Sequence, residues 1–282
     1  MKKEKIGYID VGGGTRGIYG AGVLDYCMDK GIVFDRMIGV SAGSANCASY
    51  LSGQRGRNFR FYDEYAFRKE YMSMRNYRRT HSYIDLDYIY STLSNSYGEN
   101  PMDYDAMMAH PADFDIVATN AVTGRPVYFR KRNILRDHYD FFKASSCVPV
   151  VNRPYPIGTG LYFDGGISDP VPIRRAFERG CDRVVLVLTR PRSYARKSRK
   201  DKLFARSLYH EFPRAASAMA NRASTYNRQM QIAMRLEQKG RVLIIAPDSI
   251  GKLKTLSQDH RQLELLYEKG YEDAKAIEAF LG

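Results

Sequence analysis

The pentapeptide Gly39-Val40-Ser41-Ala42-Gly43 constrains this chain more than any other stretch, because it ends a short apolar run and is followed by a small-residue helix pattern. In that setting it reads as a sharp turn from a β-strand into an α-helix. Such a turn forces its middle residue into a strained backbone conformation. Glycines two positions to either side remove Cβ atoms that would otherwise collide. Ser41 is then pushed out at the tip, at a helix N-terminus, where unpaired N–H groups and the positive end of the dipole favour developing negative charge. A serine so placed is a candidate nucleophile, and Ala42, the next residue, offers a backbone amide to an oxyanion. Gly and Ser are common, so the pattern gains its weight from the strand before it and the helix after it.

The chain opens with a comparable unit. Residues 5–11 read as a buried strand, followed by Gly12-Gly13-Gly14-Thr15-Arg16-Gly17 and an apolar helix over 18–30 ended by Gly31. Gly12, Gly14 and Gly17 match the dinucleotide-binding spacing. That reading expects an acidic residue at the end of the next strand to hold a ribose, and here the next strand ends in the serine turn. A glycine loop can instead aim backbone N–H groups at an oxyanion without obstruction, and consecutive strands of a βαβ unit usually lie close. The loop and the serine turn are therefore expected to meet.

The 282 residues suffice for one large α/β domain, and no linker, repeat or low-complexity tract divides them. We read a single domain over 1–282, with a motif-bearing core at about 5–190 and a helical, basic part at 190–282. Further helices are expected over 58–71, 87–93, 104–110, 134–146, 172–180, 203–212, 214–238 and 261–281. Further strands are expected over 115–120, 127–130, 161–164, 183–189 and 241–246, with an irregular stretch bounded by Pro149 and Pro154 leading to Leu161. Residues 83–97 are placed either as a lid over the site or as an extension of the helical layer. The run 190–202, with seven basic residues around one acidic one, reads as a solvated loop, its alternative being a dedicated anion or membrane patch.

The lysines at the N-terminus resemble the start of a signal peptide, but residues 6–11 are too short and too interrupted by Asp10 for its apolar region. No run approaches the length of a membrane span. Cys27, Cys47, Cys147 and Cys181 lack metal-binding spacing and read as free thiols, which places the protein in the cytoplasm. The net charge of +13 attracts anionic surfaces without choosing among lipid, nucleic acid and phosphate-bearing substrates.

A serine hydrolase ordinarily needs a histidine. His81, His110, His138, His210 and His260 all lack a convincing setting, and the serine turn comes too early for the usual α/β-hydrolase order. Asp164, followed by Gly165 and Gly166 at the end of an aromatic strand, reads on its own as a turn residue.

Taken together, these blocks resemble the patatin-like phospholipases. Gly12 to Gly17 is similar to that family's oxyanion loop with its basic position at Arg16, and Gly39 to Gly43 to its nucleophile elbow. Asp164-Gly165-Gly166 is similar to its D-G-A/G motif, and Ala144 to Pro149 to the Ala-Ser-x-x-x-Pro segment preceding it. The order and spacing agree over roughly the first 190 residues.

The resemblance implies a three-layer α/β/α sandwich with a mainly parallel central sheet, and a Ser–Asp dyad without histidine. Ser41 is then the nucleophile and Asp164 the general base. The Gly13 and Gly14 amides hold the oxyanion, and Arg16 holds the loop or adds positive potential. The implied substrate is a lipid acyl ester, cleaved by a phospholipase A or lysophospholipase reaction that needs neither cofactor nor metal. Peripheral contact with the anionic inner membrane surface fits the charge, and no specific nucleic acid is expected. The alternative is a catalytically inactive protein of the same fold that holds anionic membranes or nucleic acid through its basic surface.

Overall fold

Alternation along the strands separates two apolar faces. In β1 (Ile6–Asp10) Tyr8 enters one hydrophobic cluster and Ile9 the other, and in β2 (Arg36–Val40) Met37 and Ile38 divide in the same way. Phe114 and Ile116 of β3 (Asp113–Asn120) face the first cluster and Val117 the second. A sheet apolar on both faces must be covered on both, and helices pack on each. The computed structural model describes residues 4–282. Lys2 and Lys3, part of the terminal segment read above as unlike a signal peptide, lie outside the described residues.

The remaining strands are β4 (Pro126–Arg130), β5 (Tyr155–Ile157), β6 (Gly160–Asp164), β7 (Arg183–Val187) and β8 (Val242–Ile245). They run in the order β5-β6-β3-β2-β1-β7-β8, with β4 also paired to β3. The pairings among β1, β2, β3, β7 and β8 are parallel, and those made by β4, β5 and β6 are antiparallel. The register positions the site. β2 leaves β3 at Val40, opposite Val117, and β6 takes up β3 with Asp164 opposite Ala118, the next residue along. The turn after β2 and the end of β6 thus converge on the same point of the central strand.

Several expectations are corrected. The helix expected over 58–71 is Arg57–Asp63 followed by a separate 3₁₀ turn at Tyr65–Phe67. Phe59, Phe61, Tyr62, Tyr65 and Phe67 all pack into or against the core, more than one stripe of a continuous helix can bury. The helix expected over 134–146 is Asp140–Ser146 only. Before it, Asp137 adopts φ 59° and its carboxylate accepts the Ser96 amide at 2.7 Å, which fixes a turn there. An unexpected strand, β5, follows the irregular stretch directly, and the last helix divides into His260–Asp273 and Ala276–Leu281.

The basic run is not a simple solvated loop either. Ser198–Leu208 is a helix that buries Asp201, Ala205 and Leu208, spaced to share one face. Residues 83–97 belong to the helical layer, since Ile84, Leu86, Tyr88, Ile89, Tyr90 and Leu93 are buried in the core. All four cysteines are buried and free, and no described helix is long and apolar enough to cross a membrane.

Candidate active site

Ser41 stands between β2 and the helix Ala42–Leu51 with φ 55° and ψ −131°. A side chain at Gly39 would strike the backbone of Ser44, and one at Gly43 would strike the carbonyl and carboxylate of Asp10. The glycine spacing is therefore a packing requirement of the turn. The Ser41 amide donates to Ser145 Oγ at 2.9 Å, and Ser145 Oγ donates in turn to the Val117 carbonyl at 2.6 Å. Ser145 thus ties the turn to β3.

Asp164 is 4% exposed and caps its own turn, its Oδ1 accepting the Gly166 amide at 2.7 Å. Gly165 lies against the backbone of Val117, where a Cβ would collide. Burial pushes the Asp164 carboxyl above the ordinary carboxylate range. The charge of Arg222, the Ser41 hydroxyl, the Gly166 amide and the charge of Arg196 all oppose that rise. The hydroxyl of Ser41 is thus near enough to Asp164 to favour its carboxylate form.

The glycine loop lies against the turn, as expected. Gly12, at φ 62°, is so close that a Cβ would meet the Val40 carbonyl and come within 2.8 Å of the Gly43 amide nitrogen. Its own amide is spent on Asp10 Oδ1 at 2.8 Å, and the Thr15 amide on the Thr255 carbonyl at 2.9 Å. Among the described residues the Gly13 and Gly14 amides have no acceptor. The Ala42 amide, at the first position of its helix, has none within the helix. Gly17 lies against the Tyr62 hydroxyl and Ala42. Arg16, 4% exposed, donates from Nε to the Thr189 carbonyl at 3.3 Å and from Nη1 to Thr255 Oγ1 at 3.1 Å. Burial, with the like charges of Arg190, Arg196 and Arg222, pulls its guanidinium down to about 9.

Several supporting residues escaped the sequence reading. Asp10 is fully buried, also accepts Asn46 Nδ2 at 2.9 Å, and is pushed up to about 6 by burial. Its position two residues before the glycine loop was the available signal. Thr189 donates to the Gly12 carbonyl, and Thr255 pins the loop from the far end of the chain. Nothing in the local sequence marks either threonine.

No histidine among the described residues bonds to Ser41 or Asp164. His260 stacks on Phe67 at 3.6 Å and meets Asp63 at 3.1 Å, and His110 accepts the Ala112 amide. His81 ends a short helix at φ 57°, the His138 amide closes a turn onto the Leu135 carbonyl, and His210 lies edge-on to Tyr209. Among the described residues there is no group of three or more His, Cys, Asp or Glu side chains disposed to hold a metal ion.

The family model described as patatin-like phospholipase matches residues 11–177, and one described as a domain of unknown function, DUF6363, matches residues 212–281. Among curated proteins the chain is 30% identical over 194 residues to the uncharacterized protein YjjU of Escherichia coli strain K12. That match covers 66% of this chain and 52% of the relative, so the chain spans about half the length of the curated relative it matches. Among solved structures, VipD from Legionella pneumophila is similar with a TM-score of 0.48 and 15% identity, covering 97% of this chain and 66% of that one.

Proposed function

The chain belongs to the patatin-like phospholipase family, and on that premise we propose that it hydrolyses acyl esters of lipids through a Ser41–Asp164 dyad, as a phospholipase A or lysophospholipase. The observation that carries the reading is the convergence on β3 of a serine at φ 55° and a buried aspartate at the end of β6, whose carboxyl burial pushes up. An ordinary carboxylate, with a pKa of about 4, is a poor acceptor for a hydroxyl proton. Burial raises its basicity, while Arg222, Ser41 and Gly166 keep the charged form accessible.

The steps follow from that pair. Ser41 Oγ attacks the ester carbonyl carbon as its proton passes to Asp164. The Gly13, Gly14 and Ala42 amides receive the oxyanion, each such donor contributing roughly 3 kcal/mol in comparable sites. Collapse of the tetrahedral adduct breaks the bond to the alkoxy oxygen, which leaves with the proton from Asp164. Water then attacks the acyl-enzyme with Asp164 again as base, releasing the fatty acid and restoring Ser41.

Peripheral contact with an anionic membrane belongs to the same reading. The helix Ser198–Leu208 carries Lys202 and Arg206 beside the exposed Leu203, and with Tyr209 it borders a groove of about 550 Å³ that is also lined by Ala205, Pro213, Ala216 and Ala220. A basic face next to exposed apolar side chains suits a lipid surface.

A fluorophosphonate probe tests the assignment. It is expected to label the native protein and not Ser41→Ala, and the native protein is expected to release fatty acid from phospholipids or lysophospholipids. Undiminished labelling of Ser41→Ala sinks the assignment of the nucleophile. Salt-sensitive binding to anionic vesicles or DNA without any ester turnover would favour the inactive binding protein instead.

A further inference from the structure

Arg16 from the glycine loop, Arg190 just beyond β7, Arg196 from the following loop and Arg222 from the helix Pro213–Glu237 lie near enough for the last three to act on Arg16. Arg196 and Arg222 also act on Asp164, and among the described residues Arg196 alone of the four has a carboxylate partner. Arg196 forks onto the buried Asp201 at 2.8 and 2.7 Å. Among the described residues Arg190 forms no ion pair and lies over the ring of Tyr194 at 4.4 Å. Arg16 spends two nitrogens on neutral oxygens, and its Nη2 stands 3.2 Å from where a side chain at Gly13 would begin. Arg222 makes no hydrogen bond or ion pair among the described residues, and its Nε is buried without a partner.

Arg222 is also aimed at the chemistry. A side chain at Gly166 would begin 2.9 Å from Arg222 Nη2 and 3.0 Å from Asp164 Oδ1, so the guanidinium stands beside the carboxylate without pairing to it. The arginines press on one another. Burial and the charge of Arg196 pull Arg222 down to about 10, against the opposing charge of Asp164. A guanidinium does not give up its proton in a protein, so this crowding is an unmet demand for an anion. Asp164 is a poor candidate to meet it, because its basicity depends on remaining partly unneutralised.

We propose that Arg190 and Arg222, backed by Arg16, form the binding site for the phosphate group of the lipid substrate. The inference rests on the lipid-ester reading above and deepens it. In a glycerophospholipid the phosphodiester lies a few bonds from the acyl ester, so one molecule can present its carbonyl to Ser41 and its phosphate to this cluster. The guanidinium fork matches phosphate oxygens in geometry as well as charge. Arg222 lies within the 212–281 segment of unknown function. That segment thereby supplies the element that selects phosphate-bearing esters over neutral ones.

The test is equilibrium binding to the Ser41→Ala protein, which separates recognition from turnover. The ligands are dihexanoylphosphatidylglycerol, dihexanoylglycerol with the same acyl chains but no phosphate, and inorganic phosphate. Arg222→Gln and Arg190→Gln, each added to Ser41→Ala, are expected to weaken binding of the phospholipid at least about ten-fold, with Arg222→Lys retaining part of it and dihexanoylglycerol binding little changed. Inorganic phosphate is expected to compete with the phospholipid while binding more weakly than it.

Unaltered phospholipid binding in both glutamine variants overturns the proposal. Equal loss of the neutral lipid, which marks a packing defect, does so as well. Binding of inorganic phosphate in preference to the lipid also overturns it, by assigning the cluster to a free anion. Arginine-dependent lipid binding with no probe labelling at Ser41 would leave this inference standing and sink the hydrolase assignment alone.

Discussion

Ser41 holds a backbone conformation that costs a non-glycine residue about 1–3 kcal/mol, and Asp164 holds a carboxylate where burial disfavours charge. Both are unfavourable for folding and suited to proton transfer. The sign of the Asp164 contribution follows from linkage. Its folded pKa lies above the ordinary 3.8, so its contribution to stability is fully present below that value and is lost as pH rises through the raised folded pKa. Asp164→Asn removes a costly charge yet keeps an oxygen for the Gly166 amide. It is expected to lower kcat by at least roughly 100-fold while the melting temperature at pH 7 to 8 stays equal to or above that of the native protein. His210→Ala and His260→Ala are expected to change turnover far less. Full activity in Asp164→Asn beside a folded, inactive histidine variant would point to a conventional triad. In the native protein the acid limb of kcat/KM is expected to titrate above the usual carboxylate range, since the role proposed for Asp164 needs it unprotonated. A limb at about 4 would contradict the role given to burial. Ser41 was marked in the sequence by the glycines that bracket it, whereas Asp164 read on its own as a turn residue and was singled out only by the family resemblance. Arg222 was not marked, because an arginine inside an amphipathic helix looks like any surface charge until the sheet beneath it is known.

At the scale of elements, the site depends on where three segments meet on β3: the turn after β2, the end of β6, and the short helix Asp140–Ser146. Ser145 is the common link, receiving the Ser41 amide and donating to Val117. Ser145→Ala leaves both of those groups without their partner in a buried setting, at a cost of about 1–3 kcal/mol. It is expected to lower the melting temperature and to reduce kcat more than it raises KM, because it loosens the turn that holds the proposed nucleophile and lies outside the proposed substrate contacts. A rise in KM at constant kcat would show that Ser145 acts on binding instead. The strands β1, β2, β3 and β7 were readable because buried parallel strands are short, continuous apolar runs bounded by turn residues. The antiparallel β5 was missed because its three residues lie among prolines and glycines that read as irregular. The first turn of Ser198–Leu208 was read as loop, and the helix was expected only over 203–212, because charge density hid the spacing of Asp201, Ala205 and Leu208, and the partner that makes Asp201 buriable, Arg196, precedes the helix.

For the molecule as a whole, the motifs lie within the first two thirds of the chain, while the last third holds them in place. The helix His260–Asp273 crosses Ile18–Asp29 so closely that a side chain at Gly270 would meet the Tyr19 carbonyl, and one at Gly22 the Tyr267 carbonyl. Tyr19 donates to Asp273 and Tyr267 to Asp25, each at 2.7 Å, so the contact is polar as well as close. β8 extends the sheet beyond β7, and Thr255 reaches the glycine loop. The strand at 241–246 was expected, whereas the helix crossing and the Thr255 contact were not, because a glycine inside a helix pattern reveals a close approach only once its neighbour is known. We propose accordingly that the 212–281 segment is part of the folding unit that contains Ser41. A chain ending at Glu211 is expected to lack a cooperative thermal transition, since the cut exposes the Ile18–Asp29 helix and one edge of the sheet. Gly270→Leu is the milder form of the same test: overpacking the crossing costs about 1–3 kcal/mol, which lowers the melting temperature without abolishing the fold. Because that crossing lies next to the glycine loop, Gly270→Leu is also expected to slow fluorophosphonate labelling of Ser41. If the chain ending at Glu211 instead melts cooperatively and labels at the native rate, the last third is an independent appendage and the Thr255 contact is dispensable.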